Sequence, residues 1–416
     1  MPLRLSRIEA HGSPVDRAER KVCNLRPSNL IWIMPAQGDT LLDPCPSLQK
    51  GHVHMCYHDS FNPGKSGSLA RFSAARLLTG IATVGLGLGL TACSATDGST
   101  APEKSDDNLT EVTFALDWAP NTNHIGIYVA EELGYFEDAG LDVQILPYGS
   151  TNAMQLVSAG EADFGIGGQS AVQMARTSGL DVVSVYSITQ TDAGRLVTLG
   201  DRDDITRPGD LDGLVFGGFG APLYSALASA TITGDGGSGD FTEVVLDTGA
   251  YEALSHGSID FTLSVATWED VQATIEGRPY QEFRYQDYGV PDQQSSGIVS
   301  STAFVESHRE EAAAFVQAVG RGYNYTVENP EKAAEILIAA NPDTLGTSTE
   351  LVHQSTDLMA AEYLISSDRP IGEADPSKWE DFGSFLYEQG FLVDSAGKPV
   401  TEEPDWSEYF TNDLLD

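Results

Sequence analysis

The residues best suited to chemistry lie in one run, Asp117-Trp118-Ala119-Pro120-Asn121-Thr122-Asn123-His124, directly after the apolar segment Val112–Leu116. An indole can stack on a flat ring, while Asp117, Asn121, Asn123 and His124 can hydrogen-bond around the ring's edge. The same residues can instead serve as core packing and helix capping. A second run of similar character, Thr267-Trp268-Glu269-Asp270, follows the apolar segment Phe261–Val265. One aromatic and one carboxylate from each run could close on a planar, amine-bearing molecule. Two glycine stretches add candidate backbone donors. Gly167-Gly168-Gln169-Ser170 opens a helix, where free N–H groups face outward, although Ser170 can equally be an N-cap in a tight turn. Gly217-Gly218-Phe219-Gly220-Ala221-Pro222 joins a strand to a helix and permits close backbone approach. It is not a phosphate loop, since no Gly-Lys-Ser/Thr follows. The candidate set is therefore Asp117, Trp118, Asn121, Asn123, His124, Gly168, Gln169, Ser170, Gln190, Gly218, Phe219, Gly220, Ala221, Tyr224, Trp268 and Glu269.

Strands and helices must hold these runs in place. Val112–Leu116, Leu141–Leu146, Asp163–Ile166 and Val182–Ile188 read as strands, with helices over Ile125–Phe136, Thr151–Ala159 and Ala171–Thr177 between them. Such alternation predicts an α/β fold with mostly parallel sheet and crossover helices, whose ligands bind at the carboxyl ends of strands. The chain crosses into a second lobe at Thr189–Arg195. There Leu214–Phe216, Glu243–Leu246 and Phe261–Val265 are strands, and Ala221–Thr231 and Tyr251–Ser255 are helices. Ser295–Ser300 returns, and Glu310–Val327, Pro330–Ala340, Ser348–Leu364 and Trp379–Gln389 are C-terminal helices. The organisation expected is 111–190 with 295–416 as lobe 1, and 191–294 as lobe 2. Asp235-Gly-Gly-Ser-Gly-Asp240 is a surface turn.

The first 92 residues differ in kind. Arg71 to Arg76 is basic, Leu77–Leu90 is apolar, and Leu90-Thr91-Ala92-Cys93 ends in small residues, the layout of a secretory signal. The apolar segment is too short for a comfortable membrane span. The ending resembles a bacterial lipoprotein box, which would make Cys93 the lipidated first residue and 93–110 a flexible tether. The stretch before the signal is unusually long, so an internal start such as Met55 is expected. The cluster His52, His54, Cys56 and His58 then falls outside the mature protein and is not taken as a metal site.

The four cysteines are Cys23, Cys45, Cys56 and Cys93, so the mature domain has no disulfide and must rely on its core. Beyond residue 92 there are 13 basic and 55 acidic residues, a net charge of −42. That excludes nucleic acid and electrostatic binding to anionic lipid. Hydrolytic and metal motifs are missing as well: no Gly-x-Ser-x-Gly elbow occurs, and His124, His256, His308 and His353 are scattered.

From Glu111 to about Asn341 the chain resembles the substrate-binding proteins of nitrate/sulfonate/thiamine-pyrimidine-type ABC importers. The branch it looks most like binds precursors of the thiamine pyrimidine, such as hydroxymethylpyrimidine or formylaminopyrimidine. The carrying residues are Leu116 to His124, Ala130-Glu-Glu-Leu-Gly-Tyr-Phe136, Gly140-Leu-Asp142, Ala159-Gly-Glu-Ala-Asp-Phe-Gly165 and Asp210-Leu-Asp-Gly213. The resemblance implies a two-lobed periplasmic-binding-protein-like fold of type II, hinged by crossover strands. It further implies a monomer without cofactor that docks on a membrane permease, with Trp118 and Trp268-Glu269 gripping the ligand. Riboflavin and nitrate or sulfonate are the alternative ligands. The superfamily also contains a pyrimidine-forming enzyme, which needs a lysine after strand three, a histidine four residues on and a cysteine-rich motif. Gly167, Ala171 and Val290-Pro-Asp-Gln-Gln294 occupy those places, so the enzyme's chemical groups are missing.

Overall fold

The computed structural model describes residues 109–416. Cys93, the signal, the His52–His58 cluster and the tether up to residue 108 lie outside the described residues.

Two five-stranded sheets organise the chain. The strands are β1 (Thr110–Ala115), β2 (Leu141–Leu146), β3 (Phe164–Ile166), β4 (Val183–Ser187), β5 (Gly194–Leu199), β6 (Val215–Gly218), β7 (Thr242–Val245), β8 (Phe261–Val265), β9 (Tyr280–Arg284) and β10 (Gly297–Ser300). The first sheet has the order β2-β1-β3-β10-β4 and the second β7-β6-β8-β5-β9. The alternation of elements predicts mostly parallel sheets, and the pairs β1–β2, β1–β3, β6–β7 and β6–β8 are parallel, but both sheets are mixed. β10 runs antiparallel to β3 and β4, and β5 antiparallel to β8 and β9. The reason is topological. β5 and β10 are the strands by which the chain enters each sheet from the other lobe, without a helical crossover to reverse its direction. β5 and β9 also escape the sequence reading, because Gly194-Arg-Leu-Val-Thr-Leu199 and Tyr280-Gln-Glu-Phe-Arg284 carry too few consecutive apolar residues.

Elsewhere the differences are local. The helix expected over Ile125–Phe136 stops at Glu132, because Gly134 takes a left-handed conformation (φ 70°) and a separate short helix, Tyr135–Asp138, follows. The segment expected as one helix over Ser348–Leu364 is α-helical only to Leu358 and continues as a π-turn, Met359–Tyr363.

One packing contact sets the position of the first candidate run. Helix Ile125–Glu132 crosses helix Arg309–Glu328 at two glycines. A Cβ on Gly322 would lie 2.0 Å from the Gly126 carbonyl oxygen, and one on Gly126 would lie 2.4 Å from the Tyr323 ring. Only glycine permits this approach, which lets Tyr323 donate its hydroxyl to the Asn123 carbonyl at 2.5 Å. Behind it Phe315 stacks on Phe164 at 4.0 Å and on Phe136 at 5.4 Å. Each such buried ring contributes about 2–3 kcal/mol.

Candidate functional site

Segments 188–193 and 285–296 join the two sheets, and a polar network ties them together. Asp292 accepts from the Asp192 backbone N–H at 2.9 Å, from the Thr191 hydroxyl at 2.9 Å and from Lys378 Nζ at 2.6 Å. Lys378 also donates to the Gln190 carbonyl at 2.6 Å. Candidate residues Gly168, Gln169 and Gln190 belong to this framework. The Gln169 N–H donates to the Gln294 carbonyl at 3.2 Å, and its side chain bonds the Gln294 N–H and the Lys378 carbonyl. A Cβ on Gly168 would lie 2.1 Å from the Ser295 carbonyl oxygen, so that glycine seats the crossover strand. Gln190 Oε1 accepts from Gln294 Nε2 at 3.1 Å. The Gln169 donors are thus spent on the crossover segment and on the Lys378 carbonyl.

The run after β1 behaves as a braced shelf. Asn121 Oδ1 accepts from the Asn123 N–H at 2.9 Å, and the Asn121 N–H donates to His124 Nδ1 at 3.2 Å. Since Nδ1 accepts, His124 carries its proton on Nε2, which donates to Asp117 Oδ1 at 3.0 Å. His124 is fully buried with both ring nitrogens occupied, so it holds the loop. The brace leaves Trp118 49% exposed, tilted against Tyr148 with centroids 5.2 Å apart.

The run after β8 forms a single π-turn, Ala266–Asp270. Such turns bulge side chains outward and recur at functional sites. Helix Thr349–Leu358 meets this turn: Ser355 Oγ bonds the Thr267 carbonyl and lies 2.6 Å from Thr122 Oγ1, joining the two candidate runs across the lobes.

Trp118, Trp268 and Glu269 line one cleft of about 500 Å³, together with Tyr251, Tyr280 and Leu351. Its ionisable walls hold Glu252, Glu269 and Glu276 against a single guanidinium, Arg278, which engages Glu276 at 2.5 Å. Burial raises the Glu269 carboxyl above its ordinary range, opposed by the Val265 N–H that it accepts at 3.0 Å. Next to Glu269, burial pushes Asp270 up to about 7, opposed by the Ser264 hydroxyl and the Arg195 charge. Burial and then the Glu269 charge also raise the Tyr251 phenol.

A second chamber of about 290 Å³ lies between the lobes at the hinge. Asn123 and Ser170 line it from one lobe, Phe219, Tyr224 and Ser264 from the other, and Thr189, Gln293 and Ser296 from the crossovers. Tyr251 lines both spaces. The remaining candidates, Asp117, Asn121, Gly218, Gly220 and Ala221, line neither. Gly218 closes strand β6 where a Cβ would lie 2.1 Å from Glu243 Oε1, and Gly220 and Ala221 are exposed at the helix start.

The sequence reading missed Tyr251, Tyr280, Gln293 and Ser296. One signal was available for Tyr251. It sits at the start of the helix Gly249–Ser255 that follows β7, beyond another loop at a strand's carboxyl end. No group of three or more His, Cys, Asp or Glu side chains is arranged to hold a metal among the described residues. No helix among them is long and apolar enough to cross a membrane.

With this geometry in hand, comparison with known proteins gives a consistent result. The formylaminopyrimidine-binding protein of Halalkalibacterium halodurans is 31% identical over 307 residues, covering 71% of this chain and 92% of that protein. The riboflavin-binding protein RibY of Chloroflexus aurantiacus is 26% identical, covering 78% and 94%. Among solved structures, the periplasmic aliphatic sulphonate-binding protein SsuA of Escherichia coli aligns with a TM-score of 0.56 at 13% identity, over 74% of this chain and 99% of that one. The fold is therefore that of periplasmic binding proteins, two mixed-sheet α/β lobes. The family described as NMT1/THI5 like matches residues 121–333, and the chain belongs to that family.

Proposed function

We propose that this protein is the solute-binding component of an ABC importer and captures a thiamine-pyrimidine precursor, held outside the cytoplasm by a lipid on Cys93. The observation that carries the reading is the shared cleft: Trp118 from one lobe and Trp268-Glu269 from the other line the same space. A planar ring entering there meets indole faces, and its exocyclic amine meets carboxylate acceptors in a desolvated setting. Contacts made to both lobes at once favour the closed arrangement, the form a permease would recognise. The chain acts as a monomer with no cofactor.

The likeness to the formylaminopyrimidine-binding protein supports this ligand class over riboflavin, and so does the excess of carboxylates on the walls. The same excess weighs against nitrate and sulfonates, which need cationic or donor-rich walls. The pyrimidine-forming enzyme is disfavoured on steric grounds too. A Cβ at Gly167 would lie 2.9 Å from the Val299 side chain and 3.1 Å from Met154 Sδ, so a lysine there would require both neighbours to shift.

Thermal-shift screening with aminopyrimidines, formylaminopyrimidine, riboflavin, nitrate and sulfonates tests the reading. Aminopyrimidines are expected to give the largest shift; a shift with riboflavin or a sulfonate alone overturns it. Pyridoxal phosphate is expected to leave no absorbance of a lysine adduct. Metabolic labelling with a fatty acid is expected to mark the wild-type chain and not Cys93→Ala.

A further inference from the structure

We infer that the outer cleft takes its ring as a cation: a heterocycle basic enough to carry a proton on a ring nitrogen, with Glu269 as counter-ion and neutral isosteres disfavoured. This rests on the reading of that cleft as the ring site and adds the charge the ligand must bring. Four aromatic side chains line the space, Trp118 from one lobe and Tyr251, Trp268 and Tyr280 from the other. A cation over such faces is attracted by each ring's quadrupole, most strongly by indole and where water is excluded. A neutral ring of the same shape lacks that gain.

The charges on the walls decide the sign. Of the cleft's three carboxylates, Glu276 is already answered: Arg278 engages it at 2.5 Å, and Gln272 Nε2 donates to it at 2.6 Å. The guanidinium of the cleft is thereby spent. Neither Glu252 nor Glu269 has an ion-pair partner among the described residues. Glu269 is partly buried and accepts from a neutral donor, the Val265 N–H, at 3.0 Å. The groups facing it bring no positive charge. They are Asp270 beside it, the phenols of Tyr251 and Tyr280, both of which its charge raises, and Trp118 and Leu351 of the other lobe. Behind them, Glu282 and Arg195 act on Asp270 with opposite signs, and Arg195 donates to the Asp192 and Gly194 carbonyls and the Tyr363 hydroxyl.

A carboxylate held away from water without a cation is costly, and a protonated ring nitrogen removes that cost with a charge-assisted hydrogen bond. An unprotonated ring nitrogen turns a lone pair towards the same carboxylate. Two titrations then bound the complex. Below the pKa of Glu269, which burial raises, the counter-ion is lost; above the pKa of the ligand, the cation is lost. Affinity peaks between the two.

Calorimetry on the purified full chain tests this in about 1 M salt, where a Debye length of about 3 Å screens the acidic surface. The probes are 4-amino-2-methylpyrimidine; 4-aminopyridine, a stronger base that stays protonated to higher pH; and 2-methylpyrimidin-4-one, a ring of the same size that stays neutral. At pH 6 the aminopyrimidine is expected to bind about thirtyfold more tightly than the pyrimidinone. Raising the pH to 8 should weaken the aminopyrimidine about tenfold and leave 4-aminopyridine nearly unmoved. Glu269→Gln, checked for folding by its melting temperature, lowers the aminopyrimidine-to-pyrimidinone ratio about tenfold and flattens the pH dependence. Glu269→Asp, which keeps the charge, keeps the pH dependence. An aminopyrimidine affinity unchanged between pH 6 and 8, a pyrimidinone that binds as tightly as either base, or a pH dependence that survives Glu269→Gln overturns the charge assignment and leaves the ring site standing. Failure of all three probes to bind the wild-type chain removes the ring site and the charge assignment together.

Discussion

The loops after β1 and after β8 carry the same pair of residue types, an indole beside a carboxylate, yet the structure treats them in opposite ways. After β1 the carboxylate of Asp117 is tied to His124 and the indole stands half in solvent. After β8 the indole of Trp268 is partly covered by the other lobe's core, and Glu269 and Asp270 lie desolvated. One loop is a shelf whose polar groups are already satisfied. The other is a face whose carboxylates remain short of partners. Rigidity and electrostatic demand are thus divided between the lobes, so a ligand completes the second by resting on the first.

The contrast can be broken at four points. The largest effect is expected at Asp270. Its folded-state pKa of about 7 lies above that of an unfolded aspartate, so the folded chain holds this proton to higher pH. The stability it supports is present below about pH 4, falls as pH rises towards 7 and is lost above that, by at most about 4 kcal/mol. Asp270→Asn removes that slope, so the variant should gain melting temperature over wild type at pH 8 and little at pH 4.5. An equal gain at both pH values would show that the carboxyl is not under strain.

Next comes Trp118→Ala, which should weaken aminopyrimidine binding about a hundredfold in calorimetry, as expected for an interface anchor. The same loss from Trp379→Ala with Trp118→Ala silent would place the aromatic anchor elsewhere. Glu269→Gln should cost about tenfold, because a charge-assisted hydrogen bond becomes a neutral one. The smallest effect is expected at His124. His124→Ala removes both braces of the shelf, lowering affinity about fivefold through loss of order in the Trp118 loop, together with a drop in melting temperature. If affinity fell as far as in Trp118→Ala, His124 would have to touch the ligand.

Much of the fold was legible in residue order. Phe261–Val265 and Leu141–Leu146 are strands with the bounds the apolar pattern predicts, and Pro330–Ala340 is a helix over its expected span. What escaped was non-local. The antiparallel strands β5 and β10 owe their direction to the hinge, and no local pattern records it. Gln169 and Gln190 stand among the candidate ligand-binding residues. In the folded chain they accept hydrogen bonds from Gln294 and Lys378, far away in sequence.

The sequence by itself determined the types of group available: indoles after two strands, a carboxylate beside each and a strongly acidic composition. These follow from composition and from the short-range alternation of strand and helix, which the chain carries locally. Only the tertiary structure decided which groups remain free for a ligand. A hydrogen-bonding atom is available only if nothing else reaches it, and the partners of Asp117, Gln169 and Gln293 come from loops, crossovers and helices brought together by packing. The same packing gathers Trp118, Trp268 and Tyr251, separated by up to 150 positions, around one cleft.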